Sequence, residues 1–106
     1  MPYVKAIAKS EIQPGRGRCV MLENKPIAIF LVEGKYVAID DLCTHADASL
    51  AEGAVYKDDK GRCVVECPWH GAQFDLNNGT ALTLPAVTPV KTYPVREAGD
   101  ALEVEV

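Results

Sequence analysis

Apolar positions along this chain alternate with polar ones or gather into short unbroken runs, and no window of useful length repeats at the 3.6-residue period of a helix. "YVKAIAK" (3–9), "GRCVMLE" (17–23), "PIAIFLVE" (26–33) and "KYVAID" (35–40) predict four strands, parted by "QPGRG", "ENKP" and the tight Glu33–Gly34 pair. "GAVYK" (53–57) and "RCVVEC" (62–67) predict a further hairpin closed by "DDKG". Then "FDL", an "NNG" turn, "TALTL", a proline-bearing loop, "VKTYPV", an "EAGD" turn and "ALEVEV" continue the β pattern to residue 106. The expected fold class is all-β, an antiparallel sandwich or barrel of about nine or ten strands. Between Asp40 and Thr80 the pattern is interrupted twice by polar, turn-rich loops, which predicts a lobe set into the sandwich.

Composition narrows the class. At 106 residues, 48% apolar, 25% charged and with a formal net charge of −4, the chain fits one small globular domain, expected to be soluble and ordered. Its 11 Lys and Arg residues are scattered, so the basic stripe that tracks a phosphate backbone is missing and no nucleic acid partner is expected. The longest apolar stretch, "PIAIFLV" (26–32), is far short of the roughly 18–20 residues that cross a bilayer; it predicts a buried strand and no membrane partner. "MPYVKAIAKSEIQPG" lacks the basic region, apolar core and cleavage site of a secretory signal, so a cytoplasmic location is expected. In a reducing compartment, four cysteines, two of them beside the chain's two histidines, point to metal more than to a disulfide frame.

Those two pairs are the candidate chemistry. "DDLCTHADASL" (40–50) carries Cys43-x-His45; after 21 intervening residues, "ECPWHGAQFD" (66–75) carries Cys67-x-x-His70. Each pair sits in a strand-terminating loop and offers one thiolate and one imidazole, so neighbouring loops would converge four ligands on one site. A single Zn²⁺ could take all four tetrahedrally as a structural module. A two-iron cluster could place the cysteines on one iron and the histidines on the other. The second fits better, because one residue between ligands is tighter than zinc knuckles use and a core of this size needs no metal to fold.

"CTH" followed by "CPWHG" resembles the paired boxes of Rieske proteins, and "CPWHGAQFDLNNGTAL…PVKTYPV" resembles the small Rieske ferredoxins of bacterial ring-hydroxylating dioxygenase systems, over roughly 26–106. The resemblance implies a Rieske-type β-sandwich with a cluster-binding lobe at about 41–80, set in a β base of 1–40 and 81–106, the whole chain forming one domain. It implies one [2Fe-2S] cluster, with Cys43 and Cys67 on the inner iron and His45 and His70 on the outer, bound through Nδ1 with Nε2 near solvent. It further implies a low-potential one-electron carrier in aromatic hydrocarbon catabolism. The implied partners are an NAD(P)H-dependent flavin reductase, which supplies the electrons, and a terminal oxygenase, which receives them; the carrier itself is no enzyme and is expected to be a monomer. A small Rieske-like subunit of another reductase or oxygenase complex is the alternative, and a Cys2His2 zinc module a more distant one.

High-potential members of the family carry an extra cysteine in each box, joined as a disulfide; here Ala48 and Trp69 stand at those positions. They also place Ser and Tyr hydroxyls against the sulfurs, where this chain has Ala72 and Phe74. Donors to the sulfurs stabilise the reduced state, so their loss predicts a potential near the low end of the Rieske range, about −150 mV. The spacing of 21 residues is longer than expected of close ferredoxin relatives, the excess falling in "YKDDKGR" (56–62), away from the ligands.

Other residues near the boxes have two readings each. Trp69 is either a contact for a redox partner and cover for the sulfurs, or packing against the neighbouring lobe. Pro85 resembles the proline loop that shields the cluster in this family, and Pro68 and Gly71 are expected to shape the loop so that backbone N–H groups face the sulfurs. Cys19 and Cys63, with no histidine beside them, read as buried small hydrophobes. Asp40, Asp41, Asp47 and Glu52 read as a solvated face that could also steer a basic partner. An oxygenase in its own right would need two more histidines for a two-His, one-carboxylate iron site, and no G-x-G-x-x-G fingerprint supports hydride chemistry.

Overall fold

The computed structural model describes residues 3–43, 48–69, 71–82 and 88–106. Ten strands run through them: β1 (Tyr3–Ala8), β2 (Arg18–Leu22), β3 (Lys25–Val32), β4 (Lys35–Asp40), β5 (Ala54–Lys57), β6 (Cys63–Glu66), β7 (Gln73–Asp75), β8 (Thr92–Tyr93), β9 (Val95–Ala98) and β10 (Ala101–Glu105). Among the described residues the only helical segments are two 3-10 turns, Lys9–Glu11 and Leu50–Glu52. The strands form three sheets, ordered β1-β10-β9, β2-β3-β4-β8 and β5-β6-β7, and every strand-to-strand ladder is antiparallel.

The middle sheet is organised by two tight hairpins. Glu23 and Asn24, at φ 51° and 64°, join β2 to β3; Glu33 and Gly34, at φ 51° and 76°, join β3 to β4. Positive φ at both turn residues matches the right-handed twist of the flanking strands, so each turn sets its register without splaying the pair. That register sends Ile27 and Ile29 to one face of β3 and Ala28, Phe30 and Val32 to the other. Ile27 and Ile29 pack with Ile7, Leu102 and Val104 of the β1-β10-β9 sheet. Ala28, Phe30 and Val32 pack with Cys63, Val65 and Phe74 of the β5-β6-β7 sheet and with Leu76, just after β7. The unbroken apolar run of 26–32 is thus a strand covered on both faces.

Two sequence expectations change. "VKTYPV" is not one strand: β8 pairs with β4 in the middle sheet and β9 with β10 in another. Pro94, between them, has no N–H to extend a ladder, so the chain changes sheets there. Of "TALTL", the described residues 80–82 contribute one isolated bridge, Phe74↔Ala81; Thr83 and Leu84 lie outside the described residues.

The β5–β6 hairpin places its tip at the far end of the strand from Cys67. Lys57 pairs with Cys63, and between them Asp58 accepts hydrogen bonds from the backbone N–H groups of Lys60 (3.0 Å) and Arg62 (2.8 Å) and from Arg62 Nε (2.6 Å). The extra length of "YKDDKGR" is absorbed in this self-capped turn.

Candidate metal centre

Both cysteine loops are closed by the same backbone device. Beyond β6 the ladder with β7 continues one step past Glu66↔Gln73, where Cys67 N–H donates to Ala72 O at 2.7 Å, spanning residues 68–71. Gly71 adopts φ 70°, the left-handed conformation that turns the chain back into β7 and that a side chain would strain. Beyond β4, Cys43 N–H donates to Ala48 O at 3.0 Å, spanning residues 44–47, and a Leu42↔Ser49 bridge extends that stem.

The stem of the first loop is pinned by a buried carboxylate. Asp41, 6% exposed, accepts from Ser49 Oγ at 2.8 Å and from Ala51 N–H at 2.9 Å on the same oxygen. Its backbone N–H donates to Pro26 O (3.0 Å), and its carbonyl accepts from Leu50 N–H (2.7 Å). A buried carboxylate with charge-assisted partners costs far more to displace than a solvated one, so this stem is held firmly to β3.

The two loops bring Cys43 and Cys67 together. Both are buried, 3% and 1% exposed, both are free thiols, both belong to one core cluster with Ala48, Ala72 and Phe74, and the Cys43 side chain is near enough to raise the pKa of Cys67. Burial pushes the Cys67 thiol up from its ordinary pKa; the Trp69 backbone N–H, donating to its sulfur, opposes that rise, and the neighbouring Cys43 adds to it. His45, His70 and Pro85 lie outside the described residues.

Residues 3–94 match the family described as the Rieske [2Fe-2S] domain. The chain belongs to the Rieske family. It is 39% identical over 94 residues to the ferredoxin component of a naphthalene 1,2-dioxygenase system from Pseudomonas putida, covering 89% of this chain and 86% of the relative. It is 45% identical over 86 residues to the 3-phenylpropionate/cinnamic acid dioxygenase ferredoxin subunit of Escherichia coli K12, covering 79% and 77%. Among solved structures, a chain from a complex of reduced oxygenase and oxidized ferredoxin in carbazole 1,9a-dioxygenase superposes with a TM-score of 0.83 at 33% identity, covering 96% of this chain and 100% of the other. The likeness reaches strands β1 and β2, which the sequence motifs leave uninformative.

A Rieske protein carries a [2Fe-2S] cluster, and the structure's thiols suit it. Two desolvated cysteine sulfurs in one cluster, with no disulfide between them and a backbone N–H aimed at one, are a donor set for a soft metal, whose positive charge would offset the repulsion between closely spaced thiolates. The zinc alternative falls with the family assignment. Ala72 and Phe74, the positions without hydroxyls, are fully buried and belong to the same core cluster as Cys43 and Cys67. The backbone bonds Cys43–Ala48 and Cys67–Ala72 close each loop without the disulfide of the high-potential Rieske members.

Several neighbours differ from expectation. Trp69 is 59% exposed, which leaves much of its surface open to solvent beside the cysteine loop. Leu42, one residue before Cys43, is likewise exposed at 52%. Cys63 is buried, its thiol donating to Glu33 Oε1 at 3.1 Å, but Cys19 is exposed, because β2 is an edge strand of its sheet. The Cys19 thiol nevertheless turns to Asp41; partial burial and that carboxylate push its pKa up to about 11 and keep it a poor nucleophile. Asp41 is therefore a brace and not part of a solvated acidic face, and Asp40 accepts from the Tyr93 hydroxyl at 2.6 Å. Glu52 is exposed, and Asp47 lies outside the described residues. No composition signal separates a bracing carboxylate from a surface one; the register that turns Asp41 inward does.

Proposed function

We propose that this Rieske ferredoxin is a cytoplasmic, monomeric one-electron carrier between an NAD(P)H-dependent flavin reductase and a terminal oxygenase that hydroxylates aromatic rings. In this reading residues 1–106 form one domain, with a cluster-binding lobe at about 41–80 in a β base of 1–40 and 81–106. Cys43 and Cys67 would hold the inner iron, and His45 and His70 the outer. The observation that carries the reading is the meeting of two buried free thiols from separate loops, each loop containing one of the chain's two histidines. When bound, the cluster supplies one-electron redox chemistry with no need for a substrate pocket. The relatives serve naphthalene and phenylpropionate dioxygenases, and the carbazole system yields an oxygenase–ferredoxin complex. Among the described residues no helix is long and apolar enough to cross a membrane.

The protein's own contribution is to exclude water from the sulfurs and to offer them few donors. Ala72 and Phe74, buried in the same core cluster, carry no hydroxyl, so the reduced state would gain no hydrogen bond from those two side chains. An optical redox titration is expected to give a midpoint of about −150 mV; a value above roughly +100 mV would contradict this. Function itself is tested by reconstitution. Mixed with NADH, a flavin reductase and an aromatic-ring oxygenase, the protein should make product formation possible. Turnover that proceeds equally well without it would refute the carrier role.

A further inference from the structure

A polar cluster occupies the opposite face of the sheet that carries Cys67. Along β6, Cys63 and Val65 face the core, with Cys67 continuing the same parity, so Glu66 projects the other way. There its Oε1 accepts from the Tyr56 hydroxyl at 3.0 Å and from Gln73 Nε2 at 3.5 Å, and the Gln73 amide also donates to the Tyr56 oxygen. Its other oxygen, Oε2, lies under the turn: a Cβ added to Gly71 would stand 3.5 Å from it. Each strand of the sheet supplies one member, Tyr56 from β5, Glu66 from β6 and Gln73 from β7.

The chemistry of this cluster is one-sided. Every hydrogen-bond partner of Glu66 among the described residues is a neutral donor, and the ion pairs there are Lys9–Glu97, Arg18–Glu11, Lys57–Glu33, Arg62–Asp58 and Arg96–Glu103, none of which includes it. Tyr56, its phenol pushed up by burial and then by Glu66, stays a donor. Neutral donors orient a carboxylate without cancelling its charge. The Glu66 carboxylate is thus held, half-buried, next in sequence to Cys67 and against the residue that follows His70.

We propose that Glu66, clamped by Tyr56 and Gln73, is a fixed electrostatic determinant that lowers the reduction potential of the cluster. The inference rests on the ligand reading of Cys67 and His70. A negative charge close to a centre that gains an electron opposes reduction, and more strongly where burial lowers the effective dielectric.

The test is a redox titration of holoprotein variants, with iron and acid-labile sulfide measured on each. Glu66→Gln keeps shape and hydrogen bonding while removing the charge. It should favour reduction about tenfold, which for one electron is an upward shift of about 59 mV. Tyr56→Phe keeps the charge but withdraws a donor dipole, and should move the midpoint down by a few-fold in the same equilibrium. An unchanged midpoint in Glu66→Gln with full iron and sulfide overturns the proposal. If that variant does not retain its cluster, Tyr56→Phe decides: a downward shift supports the proposal, and no shift or an upward one overturns it. A cluster that survives Cys67→Ser would instead sink the ligand reading, so the two failures are told apart.

Discussion

A Cys67→Ser protein is expected to purify colourless, without iron or acid-labile sulfide, and Cys43→Ser should do the same. Both thiols are almost wholly buried and adjacent, so neither can be replaced by a solvent ligand or by a residue swinging in from the surface. Serine fills the space, but its hydroxyl does not ionise near neutral pH and is too hard a donor for an iron–sulfur site. The controls lie in the same chain. Cys63→Ser and Cys19→Ser should keep the full cluster and its visible absorption, because Cys63 lies at the far end of β6 from Cys67, hydrogen-bonded to Glu33, and Cys19 is exposed, outside the core cluster that holds Cys43 and Cys67. Visible spectra with iron and sulfide analysis of the four variants check the assignment; pigment unaltered by either Cys43→Ser or Cys67→Ser would refute it.

Phe30→Ala is expected to cost about 3–5 kcal/mol of folding stability, the range for removing a large aromatic from a packed core. Phe30 is 1% exposed and points from β3 into the cluster of side chains that includes Cys43, Cys67, Val65 and Phe74. On its other side the ring is packed against backbone: a Cβ added to Gly17 would fall 2.5 Å from it. Neither neighbour can collapse into the void, since one is main chain and the other is tied by the two loop-closing hydrogen bonds. Met21→Ala, on the edge strand and 64% exposed, should change stability by less than about 0.5 kcal/mol. Urea denaturation followed by circular dichroism compares them; a loss below about 1 kcal/mol for Phe30→Ala would show that this core is not packed as described.

Much of the fold was legible because the signals are local. Short apolar runs parted by the turn residues of "ENKP" and Glu33–Gly34 mark β2, β3 and β4 nearly to the residue, and "DDKG" marks the β5–β6 turn. The reading failed where sheet membership mattered. Nothing in "VKTYPV" itself says that its two halves belong to different sheets, although Pro94 carries the physical reason once the partners are seen. Residues 80–82 look strand-like in isolation, yet a strand exists only where a neighbour offers a ladder, and Ala81 makes a single bridge, to Phe74.

The site divides in the same way. Two Cys/His boxes, with their spacing and the missing hydroxyls at Ala72 and Phe74, identify the family and its cofactor from the chain alone, because ligand chemistry is written in residue type and short-range order. Which cysteines meet, that Asp41 is a buried brace, that Cys19 sits exposed on an edge, and that Glu66 stands behind the Cys67 turn with Tyr56 and Gln73 were decided only in three dimensions. The physical reason is that residue identity sets what a side chain can do, whereas burial, charge environment and pairing depend on strands far apart in sequence, whose register no local pattern encodes.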